Sequence, residues 1–309
     1  MAAPSTPERS GLLAPGAELQ QVATGTTWAE GPVWLPGRRA VRYSDIPANR
    51  ILEFSEETGE QTVYAEQVEF TNGRTLDLDG SVIQCSHGRR AVERDRDGEV
   101  STLVDSWRGA RLNSPNDVVV RSDGTIWFTD PSYGIERPRE GHAGVLEYGD
   151  HHVFRFEPDT GQLDPVVIDL EQPNGLAFSP DESILYVADS SRDPAGPANP
   201  ARPGGHAIHA YDVFEGRHAK NGRSLVEVEP GVPDGLRVDA DGNLWTSSLD
   251  AVQVFSPAGD LLLRVPVPEK IANVCFGGED GSTLYIAAST SLYRIRTTVR
   301  DAVRQRRQG

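Results

Sequence analysis

Six polar residues stand at the heads of apolar runs along the chain: Glu30, Asn72, Asn116, Asn174, Asp234 and Asn273. Three more acids, Asp45, Asp130 and Asp189, close the runs that follow three of those heads. Every head carries a side-chain oxygen, and none is His or Cys. Such a donor set suits a hard cation. Calcium accepts about six to eight oxygens from carboxylates, amides and water in loose geometry, whereas magnesium demands a stricter octahedron. Glu30 and Asp234 would balance one divalent charge. A lone Asn-Gly or Asp-Gly is ordinarily a turn, but six polar heads in step with a repeat ask for a common purpose. Asn72 and Asn273 read as structural members, because their units offer no partner acid.

The element that must position these heads is a recurring hairpin. Residues 172–189, QPNGLAFSPDESILYVAD, show it best. Two nearly unbroken apolar runs flank a Ser-Pro-Asp-Glu turn, the pattern of strands buried on both faces. The spacings between heads are 42, 44, 58, 60 and 39 residues. Periods of about 40–50 residues with four short strands each mark propeller blades. The expected fold is therefore all-β: a six-bladed β-propeller with four antiparallel strands per blade. The last unit supplies only three strands, and an N-terminal strand near residues 19–23 is expected to close it, which removes a free sheet edge. The expected boundaries are a disordered lead-in over 1–17, one propeller domain over 18–298 and a basic C-terminal tail over 299–309. Antiparallel pairing puts the start of each first strand and the end of each second strand on one face. The heads then meet at one mouth of the channel. The two long intervals carry insertions at 131–150 and 190–206 that overhang the same mouth, and loops of that length are usually functional.

Composition narrows the partners. The net charge of −16 over 309 residues speaks against nucleic acid and against an anionic membrane surface. Residues 1–18 hold no apolar core of signal-peptide length. Two cysteines, Cys85 and Cys275, make no disulfide framework and read as buried free thiols. These features lead to the expectation of a cytoplasmic monomer acting on a small molecule.

Four stretches carry a family resemblance: EGPVW (30–34), RLNSPNDVVVRSDGTIWFTDPSYG (111–134), QPNGLAFSPDESILYVAD (172–189) and PDGLRVDADGNLW (233–245). Together they resemble the gluconolactonase, senescence-marker-protein and luciferin-regenerating-enzyme family of six-bladed propellers. The resemblance implies one divalent metal at the channel mouth, usually calcium, with magnesium, zinc or manganese as alternatives. The family's metal ligands fall on Glu30, Asn174 and Asp234. Asn116 takes the place of a further ligand or substrate contact. Arg111 and Asn113 keep the spacing of the family's substrate-binding arginine and asparagine, but the Asn-Asp pair itself is Asn116-Asp117. Tyr133 and His87 are candidate wall residues. The expected activity is hydrolysis of a sugar lactone, gluconolactone first. The metal polarises the carbonyl, and Asp234 or a metal-bound hydroxide activates water. The alternatives are an organophosphate or other ester hydrolase on the same metal, and a non-catalytic binding platform, since a fold alone does not fix the substrate.

Overall fold

The computed structural model describes residues 11–192 and 205–303. Six four-stranded antiparallel sheets follow one another around a central channel. Their innermost strands are Ala29–Leu35, Thr71–Leu76, Val118–Val120, Pro173–Phe178, Leu236–Val238 and Ile271–Gly277, for blades one to six. Each blade then runs outward through its second, third and fourth strands in sequence order. The sixth differs as expected. Its outermost strand is Gln20–Thr24, which pairs antiparallel with Ser291–Arg296. The ring is thus closed by joining the two ends of the chain.

The core is divided into layers between neighbouring blades. Trp127, Leu176, Phe178 and Val187 pack together between blades three and four. Trp245, Val254, Val274 and Ile286 do so between blades five and six. The inner strands are buried on both faces, which accounts for their unbroken apolar runs. Trp127 and Trp245 are fully buried, and each indole N–H has an acceptor: Thr125 Oγ1 at 3.0 Å and Asp239 Oδ2 at 2.8 Å. The cysteines are free and buried.

Described residues on both sides of the expected 18–298 domain pack against the propeller. Residues 11–17, expected within a disordered lead-in, run beside the last blade. Leu13 bridges Thr297, Ala14 N donates to Arg296 O at 3.1 Å, and Leu12, Leu13 and Ala17 cover the core layer there. At the other end Asp301 bridges Asp239, and Val299 and Ala302 are buried. Residues 1–10 of the lead-in and 304–309 of the tail lie outside the described residues, as does 193–204 of the second insertion. Among the described residues no helix is long and apolar enough to cross a membrane.

Candidate active site

The heads owe their aim to irregularities in the innermost strands. Pairing slips between Glu30 and Val33, Thr71 and Arg74, Pro173 and Leu176, and Ile271 and Asn273. A bulge adds an unpaired residue and redirects its side chain. In blades one, two, four and six it does so at or beside the head. In blades three and five the head simply precedes the strand.

Backbone bonds then link the head regions of neighbouring blades. Gly73 N donates to Asn116 O at 2.8 Å, Gly175 N to Asp234 O at 2.9 Å, and Gly235 N to Ala272 O at 2.8 Å. A Cβ at position 175 would collide with the Asp234 carbonyl oxygen. Gly31 has φ of 54° and lies against the Asn72 carbonyl in the same way. Glycine after the head is thus a packing requirement at these two positions.

Glu30, Asn116 and Asn174 are buried, whereas Asp234 keeps part of its surface open. Burial, then the nearby carboxylates of Asp234 and Asp117, push the Glu30 carboxyl well above the ordinary range. The carboxamides of Asn116 and Asn174 make no hydrogen bond among the described residues. Two acids and two unspent carboxamides at one mouth therefore fit a hard cation. Among the described residues no cluster of three or more His, Cys, Asp or Glu is arranged to hold an ion. A cation at these heads would draw on mixed carboxylate and carboxamide oxygens.

The second-strand acids do something else. They were expected to add oxygens to the mouth, but they clamp the loops that lead into the heads. Asp45 Oδ1 accepts from Thr27 N at 2.8 Å and Trp28 N at 3.2 Å. Asp130 accepts from Asn113 N at 2.7 Å and Ser114 N at 2.8 Å. Asp189 accepts from Gln172 N at 3.2 Å. Each clamp lies two or three residues before a head, so an acid in one strand sets the position of a donor in another.

The expected substrate contacts are distributed differently. Asn113 is fully buried and is a strut: its Nδ2 donates to Tyr148 Oη at 2.7 Å, Asp150 O at 2.9 Å and Asp130 O at 3.0 Å. Arg111 sits on an exposed hairpin, Ser106–Trp107 with Ala110–Arg111, and its guanidinium donates to Arg89 O at 3.1 Å. Tyr133 is buried under the Arg137 guanidinium, 4.4 Å above its ring. His87 is sealed from solvent. Its Nδ1 meets Glu140 O at 2.9 Å and its Nε2 meets Asn72 Nδ2 at 3.2 Å. A carbonyl only accepts, so Nδ1 carries the proton and Nε2 accepts from Asn72. Of this group only Asn116 belongs to the ring. The others build the wall and fasten the 131–150 insertion to it.

Two residues beside the heads, Asp117 and Arg237, escaped the sequence reading, and a third was read only in part. Asp117 is buried beside Glu30, with Oδ2 at 3.4 Å from Arg237 Nη1. Asn273, read as structural only, accepts from Val274 N through Oδ1 at 2.8 Å and lies near Glu30 and Asp117. A signal was present. Asp117 stands where Glu30, Asn72, Asn174 and Asp234 are each followed by glycine. Arg237 stands three places past its head, where the other units have Val33, Thr75, Val119, Ala177 and Phe276.

A model of the SMP-30/Gluconolactonase/LRE-like region matches residues 28–290. The chain belongs to that family. A gluconolactonase of Zymomonas mobilis is 32% identical over 94% of this chain and 85% of its own length. The solved structure of a Xanthomonas campestris gluconolactonase superposes with a TM-score of 0.83, is 34% identical, and covers 96% of this chain and 98% of its own. A calcium-binding regucalcin from Agrobacterium tumefaciens, 17% identical, shares the fold alone, with a TM-score of 0.73 over 91% and 94% of the two chains. This member of the gluconolactonase family is a lactonase.

Proposed function

We propose that the channel mouth opens a sugar lactone, gluconolactone or a close relative, with the help of one calcium ion. Glu30, Asn174, Asp234 and Asn116 would hold that ion. The observation that carries this reading is the pair of carboxamides, Asn116 and Asn174, that make no hydrogen bond to the described residues and stand with two carboxylates at the strand heads. Bound there, the ion would polarise the lactone carbonyl and stabilise the charge that develops on its oxygen. The chain's own residues supply the rest. Asp234 is the acid of the ring with open surface, so its carboxylate takes the proton from the attacking water and returns it to the ring oxygen as the ester bond breaks. Asn116 presents either amide end to a sugar hydroxyl or to the ion. The wall of Asn113, His87 and Tyr133 keeps the 131–150 insertion fixed, so one side of the mouth is rigid.

The test is a pH-stat assay on a panel of sugar lactones, before and after chelation. Proton release should stop in chelator and return with added calcium. Full turnover in chelator would remove the cation from the account.

A further inference from the structure

Two places past their heads, five of the six units carry Pro32, Val118, Leu176, Leu236 and Cys275, and only blade two carries a charge there, Arg74. Arg74 is fully buried. Its backbone resumes regular pairing after the blade-two bulge, opposite Gln84, and its side chain crosses to blade one. Nη1 donates to Gly31 O at 2.7 Å, and Nη2 donates to Ser44 Oγ at 2.6 Å. Nε is buried with no partner, so these two bonds hold the guanidinium. Ser44 stands opposite Glu30 in the blade-one sheet, and its hydroxyl donates back to Thr71 O of blade two at 2.5 Å. Gly31 follows Glu30 inside the blade-one bulge, where it and Pro32 are left out of the pairing. A bulge takes a residue's polar groups away from the ladder. Here both groups of Gly31 find other partners: the Glu30 carboxylate accepts from its N–H, and its carbonyl accepts from Arg74. One glycine thus joins the carboxylate to the guanidinium.

A buried charge is tolerated only where hydrogen bonds compensate it. Arg74 directs both of its bonds to residues that bracket Glu30: Gly31, next in the chain, and Ser44, across the sheet. The guanidinium is a rigid planar fork, so two bonds fix its partners relative to each other. We infer that Arg74 is the positioning residue for Glu30, and that by fixing the bulge it raises the affinity of the mouth for its cation. The second half rests on the cation reading above. The coupling of Arg74 to Glu30 through Gly31 exists with or without a bound ion. The sign of the effect is distinctive. A positive charge beside the heads repels a cation, so by charge alone the loss of Arg74 would tighten binding. Loss of a positioning residue weakens it.

Two measurements test it. The first is calorimetric titration with calcium of Arg74→Met, which keeps the stem but neither the charge nor the donors. It should bind calcium about 10–100-fold more weakly, the usual cost of losing a supporting partner. Turnover at saturating calcium should stay within a few-fold of the parent. Unchanged or tighter binding would overturn the inference. Should Arg74→Met not fold, Arg74→Lys decides alone: one ammonium does not reproduce the fork, so parent-like affinity in that variant would overturn the positioning role. The second is a double-mutant cycle in chelator, read by urea unfolding, with Glu30→Met, an Arg74 variant that folds, and the pair. Glu30→Met keeps the length of the side chain but cannot accept from Gly31 N. Residues coupled through a shared backbone shift depart from additivity, so the product of the single effects on the unfolding equilibrium should miss the double by at least about threefold. Additive effects would overturn the inference even if the protein binds no cation at all. Should the parent bind no calcium, the proposed function fails, and the cycle alone decides whether Arg74 positions Glu30.

Discussion

At the level of single residues, the proposed function gives two acids two different tasks. Glu30 is enclosed and Asp234 is partly open. Glu30→Gln should weaken calcium binding by more than the ~10–100-fold that a supporting residue costs, with turnover partly recovered at high calcium. Asp234→Asn should lower kcat by about 10²–10⁴ and should not recover, since a general base is lost as well. Calorimetry and pH-stat rates on the same preparations separate the two outcomes. His87 makes a different prediction. Burial lowers its pKa to about 4, below the ordinary value near 6.5. The folded state therefore resists protonation that the unfolded chain accepts. Its contribution is complete above pH about 6.5 and fades as pH falls toward 4, to a total of about 3 kcal/mol. His87→Phe should flatten that part of the stability curve, as read from urea midpoints between pH 4 and 7. An unchanged slope would show that the imidazole is solvated.

At the level of strands and turns, the repeated hairpin was legible because its two runs are apolar throughout and its turn residues are specific. Leu176–Phe178 and Ile184–Ala188 fall inside the strands Pro173–Phe178 and Ile184–Asp189. The bulges at the heads were not legible, since a one-residue slip leaves the apolar pattern of a doubly buried strand unchanged. The same blindness misplaced Asp45, Asp130 and Asp189. Their position at the mouth follows from topology, but whether an acid faces the axis or the incoming loop depends on local backbone direction. The clamps can be tested directly. Asp189→Ala strips an acceptor from Gln172 N and from Ser191 N. It should cost about 1.5–3 kcal/mol in urea unfolding, the range for hydrogen bonds to a charged group. Calcium affinity should fall as well, because Asn174 lies two residues beyond Gln172. Gly175→Ala should cost about 1–3 kcal/mol through forced movement of the Asp234 backbone. A neutral result at either position would mean the heads are not held as described.

For the whole molecule, ring closure was foreseeable by counting, since five units had four strands and the sixth had three. The extent of the closing segment was not, because Leu12, Leu13 and Ala17 are scattered apolar residues with no period of their own. A chain shortened to begin after Thr24 loses its partner for Ser291–Arg296 and exposes a sheet edge. It should unfold at markedly lower urea concentration and self-associate, as seen by light scattering. The Asp117–Arg237 pair is also a property of the whole ring. Neither residue explains itself within its own blade, and only closure brings blades three and five to one axis.

The central claim is that the oxygens of four distant strand heads, Glu30, Asn116, Asn174 and Asp234, converge to hold one hard cation on which turnover depends. The most direct measurement is metal content of the purified protein, followed by lactone hydrolysis in the pH-stat through a cycle of chelation and calcium return. The account predicts one calcium per chain, loss of proton release on its removal and recovery on its return. Undiminished hydrolysis by metal-free protein would contradict it.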